Sequence, residues 1–324
     1  MEKVLAWAGL YAVNGNAGTR AGREARTQGG RTMESKRIGA VIAVGNQKGG
    51  VGKTTNTCHL AAALGEKGYR VLIIDLDPGA GATKHLGIPV QSFAGTLELL
   101  TTSETVETLA ITEGMARGVH LVPSRTQLSE LDTLLSKFVD RTRILDRPIE
   151  FARPRYDFIF LDTPPWAGAT TTVSAYSVAE WFLLSAFPHP LSMAGLNEAL
   201  KDIADVRAQR NPGLEVLGVI LACVDTRTNL ARDVEALVAR ELPGRAFETI
   251  ITQANALPVL SGRGKTLFDS KLYATHKVTE QYRCLAAEVE GRLLNREGFL
   301  ARAKEGLTHD LGNGEETKRA ASSV

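Results

Sequence analysis

Between about residue 36 and residue 300, short β-branched runs alternate with longer stretches whose apolar positions recur at helical spacing. The apolar runs predict strands over Ile38–Val44, Val71–Asp75, Val119–Val122, Phe158–Asp162, Trp181–Ala186, Leu217–Cys223 and Ala246–Ile250. The amphipathic stretches predict helices over Thr55–Lys67, Thr126–Phe138, Thr170–Val178, Leu191–Gln209, Leu230–Leu242 and Val278–Leu294. Strands that are apolar throughout, separated by helices, imply an α/β fold: a doubly wound, mainly parallel sheet covered on both faces.

The pattern fails at both ends. Residues 1–35 are rich in Gly, Arg, Thr and Glu and poor in bulky apolar groups past Val13, so they cannot offset the entropy of ordering and are expected to form a flexible extension. Met33 stands just before the first strand, as an alternative start would. Residues 36–300 are expected to form one domain and residues 301–324 a polar tail.

Composition narrows the setting. The 324 residues are 44% hydrophobic and 23% charged, with a net charge of +2, so any contact with nucleic acid must come from a local basic face. Cys58, Cys223 and Cys284 lie far apart and the histidines are scattered, so neither a disulfide framework nor a transition-metal site is expected, and a cytoplasmic location is the simplest setting. The stretch from Val173 to Phe187 contains Glu180 and falls short of the roughly 18 apolar residues of a membrane span. Residues Val4 to Val13 imitate the apolar part of a signal peptide, but Glu2 dilutes the positive start and no clear cleavage pattern follows.

The candidate chemistry starts where the first strand ends. Gly45-Asn46-Gln47-Lys48-Gly49-Gly50-Val51-Gly52-Lys53-Thr54-Thr55 runs directly into a predicted helix. Strand, glycine loop and helix N-terminus are what a phosphate cradle needs, because the glycines let backbone N–H groups converge on phosphate oxygens. Gly49, Gly50, Val51, Gly52, Lys53, Thr54 and Thr55 are the expected nucleotide-binding residues. Lys53 is placed to reach the terminal phosphates and the Thr54 hydroxyl to ligate Mg²⁺. A dinucleotide fingerprint would need a third glycine at Thr55 and gives Lys53 no purpose. The standard loop also carries a glycine at position 47, where this chain has Gln47 followed by a second lysine, Lys48. A cation beside the phosphates makes chemical sense if it, too, contacts phosphate.

Two further strands end in acids. Val71-Leu72-Ile73-Ile74 delivers Asp75-Leu76-Asp77-Pro78, and Phe158-Ile159-Phe160-Leu161 delivers Asp162-Thr163-Pro164-Pro165. Strand carboxyl ends are where open α/β sheets bind ligands. Asp162 is expected to serve the magnesium, Asp75 to support it, and Asp77 to orient the attacking water; Lys48, Lys53 and Asp77 are therefore the expected catalytic groups. Pro164 and Pro165 stiffen the chain after Asp162, as suits a switch segment.

These motifs, with Asp225-Thr-Arg-Thr-Asn229, resemble the ParA/MinD family of deviant Walker ATPases over about Lys36 to Leu294, and the ParA branch in particular. The resemblance implies that two subunits sandwich two ATP molecules and that Lys48 reaches the nucleotide of the opposite subunit. It also implies an ATP-dependent homodimer that binds DNA without sequence preference, a ParB-like protein that stimulates slow hydrolysis, and a plasmid, chromosome or other large assembly as cargo. Two departures stand out. Gly79 replaces the glutamine common after the second acid, and Ile251-Thr252-Gln253-Ala254 replaces Ile-Pro-Arg-Asn, with loss of a basic position. Arg232, Arg240, Arg245, Arg263, Lys265, Lys271 and Lys277 are candidates to rebuild a cationic face. A membrane-binding switch of the MinD kind would need an amphipathic C-terminal helix, for which Gly298 to Lys304 is the best candidate. It is short, and no membrane partner is expected.

Overall fold

The computed structural model describes residues 38–166, 168–187, 190–225, 232–234, 236, 238, 240, 242 and 244–303, with the backbone alone at 190–197. The expected N-terminal extension up to residue 37, the tail from residue 304 and residues 226–229 of the Asp225–Asn229 motif lie outside the described residues. The elements run β1 (Ala40–Gly45), α1 (Lys53–Glu66), β2 (Val71–Asp75), α2 (Gly81–His85), α3 (Thr96–Thr101), α4 (Val106–Leu109), β3 (Val119–Val122), α5 (Leu131–Leu134), α6 (Asp146–Ala152), β4 (Phe158–Asp162), α7 (Thr170–Val178), β5 (Trp181–Ala186), α8 (Pro190–Gln209), β6 (Glu215–Leu221), α9 (Ala256–Ser261) and α10 (Lys277–Leu294).

The strands pair in parallel in the order β3-β2-β4-β1-β5-β6. Alternation along β1 explains the two-sided core: Val41 and Ala43 join a cluster with Ala175, Tyr176, Ala199 and Ile203 of α7 and α8. Ala40, Ile42 and Val44 face the other way, onto Leu60 and Leu64 of α1 and Tyr282 and Leu285 of α10. The loop after β1 leads to α1 on one face and the loop after β4 leads to α7 on the other. A crevice therefore opens between these adjacent strands at their carboxyl ends, the usual ligand position in such sheets.

Close packing makes one glycine indispensable. Gly65 near the end of α1 faces the chain just before β3, and a Cβ there would overlap the carbonyl oxygen of Arg117. Backbone cannot rotate out of the way, so Gly65→Ala should destabilise the fold by about 3 kcal/mol. Chemical denaturation measures this, and an unchanged midpoint would refute the packing account.

Three sequence expectations are corrected. The seventh strand, Ala246–Ile250, does not form; the segment makes one isolated bridge, Val219 with Ala246, and just beyond it the chain bridges Val224 with Thr252 and donates from Ile251 N to Leu221 O at 2.9 Å. The guanidinium of Arg292 donates to the carbonyls of Leu217 (2.7 Å), Arg245 (3.0 Å) and Ala246 (2.5 Å), so the Leu217 carbonyl of β6 is satisfied by a side chain where a continued ladder would have supplied an amide. On the outer side Glu288 accepts from the amides of Glu248 and Thr249, and Gln281 from Thr252. The helix expected over Thr126–Phe138 is instead a 3-10 turn at Thr126–Glu130 followed by the short α5, with the Ser129 hydroxyl bonded back to Thr126 O at 2.8 Å. Packing also reaches past residue 300: Ala303 is buried. Of the helix expected over Leu230–Leu242, residues 232–234, 236, 238 and 240 are helical, Leu242 is in a bend, and the others lie outside the described residues.

Candidate functional site

The glycine loop after β1 curls over the start of α1. Gly50 and Gly52 take left-handed backbone conformations, φ 75° and 82°, which residues with a Cβ rarely adopt. Gly49 and Gly50 are exposed and a Cβ on either would meet nothing, so the loop crown faces open space. Its shape is set from behind. Lys48 N donates to Asn46 Oδ1 (2.9 Å), whose Nδ2 donates to Ser185 O (2.8 Å). Ser185 Oγ donates to Val51 O (2.6 Å) and accepts from Asn56 Nδ2 (2.9 Å), and Asn56 Oδ1 accepts from Tyr282 OH (2.7 Å). Gln47 Nε2 reaches Asp202 Oδ2 on α8 at 2.5 Å.

Lys53 is buried, and its ammonium donates to Lys48 O at 3.1 Å. Burial lowers its pKa, and the negative charges of Asp162 and Asp77 partly oppose that shift. Thr54 Oγ1 donates to Asp162 Oδ2 (2.8 Å), while Thr57 Oγ1 donates to Asp162 Oδ1 (3.3 Å). The hydroxyl and carboxylate expected to share a magnesium ion are thus already together. Thr55 lines the cleft, and its carbonyl accepts from His59 Nδ1 at 2.9 Å. The side chain of Lys48 forms no ion pair with a described residue.

The two acids of the second motif have different surroundings. Asp75 is fully buried in register with Asp162, and both its oxygens are engaged: Oδ1 by the Asp77 amide (3.2 Å), Oδ2 by the amide (2.8 Å) and hydroxyl (2.7 Å) of Thr83. Asp77 is only half-buried and lines the cleft, with Oδ1 accepting from Gly79 N at 2.7 Å. A water in the cleft can reach Asp77, whereas the protein already satisfies Asp75.

The cleft, about 550 Å³, runs from Gly49, Gly50, Lys53, Thr54, Asp77 and Pro165 to a second wall. That wall is made by Cys223, Ile251, the Gln253–Asn255 turn, Pro258 and Tyr282. Cys223 is left-handed at φ 54°. Sequence reasoning noted Ile251–Ala254 for a lost basic position but not as a wall of the cleft, and it missed Ser185, Asn56 and Thr83. Only Thr83, shortly after a motif acid, carried a local signal; the others are joined by the fold alone.

Burial raises the pKa values of Asp75 and Asp162 well above the ordinary carboxylate range; the charge of Asp75 raises Asp162 further, and that of Asp77 raises both. A raised carboxylate pKa favours the folded state while the group holds its proton, and that contribution is lost as pH rises through the folded value. His59 and His85 have the opposite sign: burial lowers them to about 3 and about 4, so they weaken the fold as pH falls below the ordinary histidine range. A substitution separates the two effects. Asp162→Asn should be more stable than wild type at pH 8 without nucleotide, with the gap closing as pH falls toward 4. Thermal unfolding across that range checks it; a gap constant with pH would show that Asp162 is not strained by its charge.

Two adjoining buried carboxylates, a threonine hydroxyl, a buried lysine and an open run of loop amides fit a magnesium-bearing polyphosphate. The cation would relieve the repulsion between the acids, and the amides would take the phosphate oxygens. Among the described residues, no helix is long and apolar enough to cross a membrane.

Residues 39–216 match the family described as AAA domain. The chain is 34% identical over 253 residues to the chromosome-partitioning ATPase Soj of Thermus thermophilus, covering 78% of this chain and 96% of that protein. It is 31% identical over 259 residues to the chromosome partitioning protein ParA of Myxococcus xanthus, covering 79% and 89%. Among solved structures it superposes on cobyrinic acid a,c-diamide synthase of Mycobacterium smegmatis with bound ADP and magnesium, at a TM-score of 0.66 and 26% identity, covering 79% and 96%.

Proposed function

We propose, for a chain that belongs to the ParA/MinD family of deviant P-loop ATPases, that it is a partition ATPase whose site is completed by a second copy of itself. In this reading it binds ATP with Mg²⁺, pairs face to face, and hydrolyses the nucleotide slowly. The dimer holds duplex DNA without sequence preference and is released by a ParB-like partner, so that a plasmid or chromosome is segregated in the cytoplasm, on the nucleoid.

The observation that carries the proposal is the pair of lysines on one loop. Lys53 is buried and its charge is directed into the cradle, which accounts for the lysine every such loop requires. Lys48 follows a loop residue anchored to α8 and precedes the exposed crown at Gly49 and Gly50, with no acid pairing it among the described residues. A second cation there suits a phosphate presented from outside the chain.

Within one site the roles divide by geometry. The loop amides and Lys53 hold the phosphates, Thr54 and Asp162 hold the metal, and Asp77 orients water at the open side of the cleft. Asp75 acts through Thr83, fixing the segment that carries Asp77. Bound Mg²⁺ supplies charge neutralisation on the phosphate oxygens. Gly79 brings only its amide to Asp77 and adds no side chain of its own to position the water, which suits slow turnover.

The membrane-switch alternative loses its candidate helix. Phe299 and Ala303 from the 298–304 segment are buried, and Arg292 and Arg245 stack on the Phe299 ring at 5.0 and 4.8 Å. Its apolar face is already used within the domain.

The test is ATP turnover and oligomeric state together. Wild type should hydrolyse ATP above a Lys53→Ala control and shift from monomer to dimer with ATP but not ADP. A protein with no turnover beyond that control, with or without DNA, would not be an ATPase of this kind.

A further inference from the structure

Helix α2 touches the nucleotide site at one end and a basic surface loop at the other. Gly81, its first residue, lies so close to Thr54 that a Cβ there would stand 3.1 Å from the Thr54 hydroxyl oxygen. Just past its last residue, Gly87 meets Gly264 backbone to backbone: a Cβ on Gly87 would lie 3.0 Å from the Cα and the carbonyl oxygen of Gly264, and one on Gly264 would overlap Gly87. Both glycines are also left-handed, φ 76° and 67°, so conformation and space each exclude a side chain. No flexible group lies between the two chains to absorb a displacement, and packed elements pass such shifts on to their neighbours.

The helix is fastened to the acids. Thr83, at its middle, donates twice to Asp75 and accepts from the Ser124 amide at 2.8 Å. Lys84 donates to Gly79 O at 2.7 Å, tying the helix to the loop of Asp77. Ala80, the residue before it, is fully buried yet left-handed (φ 53°, ψ 48°), a conformation disfavoured for any residue with a Cβ. On the side facing α1 the contact is packing alone: His85 meets His59 edge-on at 5.1 Å, and the Nε2 atoms of both rings are buried without a hydrogen-bond partner among the described residues. A short helix bound firmly to the acids, entered through a strained residue and only packed against α1 is suited to move as a unit.

At the far end, exposed Arg263 and Lys265 flank Gly264, and exposed Lys271 follows. None of the three forms an ion pair with a described residue. The nearby Asp269 is turned back on Thr266, accepting from its amide (2.7 Å) and hydroxyl (2.8 Å). Arg245, by contrast, is spent inside the fold, on Glu215 and the carbonyl of Val216.

We infer that Arg263, Lys265 and Lys271 form the surface that grips the phosphodiester backbone of duplex DNA, and that α2 is the strut that repositions it through the Gly87–Gly264 contact when the nucleotide site fills. The DNA half of this inference rests on the function proposed above; the strut does not. It gives the chain a cationic surface in place of the basic position lost at Ile251–Ala254.

Two measurements test it. Hydrogen exchange on the full chain, with MgATP against MgADP, should show a nucleotide-dependent change in amides 262–267 as well as in the glycine loop; Gly264→Ala should keep the loop response and lose that at 262–267. No difference at 262–267 in wild type would overturn the strut, whether or not the variant folds. In the second, Arg263→Glu with Lys265→Glu should weaken ATP-dependent duplex binding at least about tenfold, and the slope of log affinity against log salt should fall by about 1 per cation lost. Unchanged affinity and slope would overturn the surface. Absence of any ATP-dependent DNA binding by wild type would sink both the partition reading and the surface, leaving the exchange result to judge the strut.

Discussion

Lys48→Ala is expected to bind ATP within a few fold of wild type and to lose DNA-stimulated turnover by about 10³-fold or more, the scale on which an added cation accelerates phosphoryl transfer. The two parts of this expectation have separate structural grounds. Affinity survives because what Lys48 gives its own loop is backbone: its amide donates to Asn46 and its carbonyl accepts from Lys53. An alanine keeps both. Turnover falls because the side chain is the loop's second cation, and Lys53 is held too deep to replace it. Nucleotide titration and steady-state hydrolysis read the two parts independently. A variant that hydrolyses at the wild-type rate would show that Lys48 has no part in the chemistry.

Asp77→Ala should give the second large effect: an ATP-bound dimer that persists where wild type turns over and dissociates. Asp77 is the motif acid that faces the cleft with room for water, while Asp75 is closed off by Thr83. Removing the Asp77 carboxylate leaves the phosphate cradle, Thr54 and Asp162 in place, so binding and pairing should continue without hydrolysis. Size-exclusion chromatography with ATP detects the trapped dimer. If Asp77→Ala still turns over rapidly and Asp75→Ala does not, the water belongs to the other acid.

The phosphate loop and the two acid motifs were legible because their signals are local. Each follows an apolar strand, and parallel pairing of β1, β4 and β2 then brings Val44, Asp162 and Asp75 into register. The two-sided core likewise follows from uniformly apolar strands separated by helices, whereas the order β3-β2-β4-β1-β5-β6 is fixed only by the folded chain. What stayed hidden depends on contacts distant in sequence. Ala246–Ile250 has the composition of a strand, and nothing near it announces that Arg292 and Glu288, some forty residues on, will occupy its hydrogen-bonding groups. The second wall of the cleft is assembled from Cys223, the 251–258 segment and Tyr282; of these only Ile251–Ala254 stood out in the sequence, and for a lost basic position rather than as a wall of the cleft. Helix α2 is too short for its periodicity to register, and its importance comes from two glycine contacts that only the folded chain makes. Arg245 shows the reverse failure: it reads as a surface cation and is instead used in the interior.

The central claim is that each nucleotide is completed by Lys48 of the other subunit, and mixing two inactive variants tests it most directly. Lys48→Ala keeps its own Asp77, and Asp77→Ala keeps its own Lys48, so a mixed dimer has one site with both groups only if Lys48 acts across the interface. Equal amounts should therefore recover about a quarter of wild-type turnover, since in a two-fold dimer about half of the pairs are mixed and each has one complete site. A mixture as inactive as its components would place Lys48 in its own subunit's site and contradict the account.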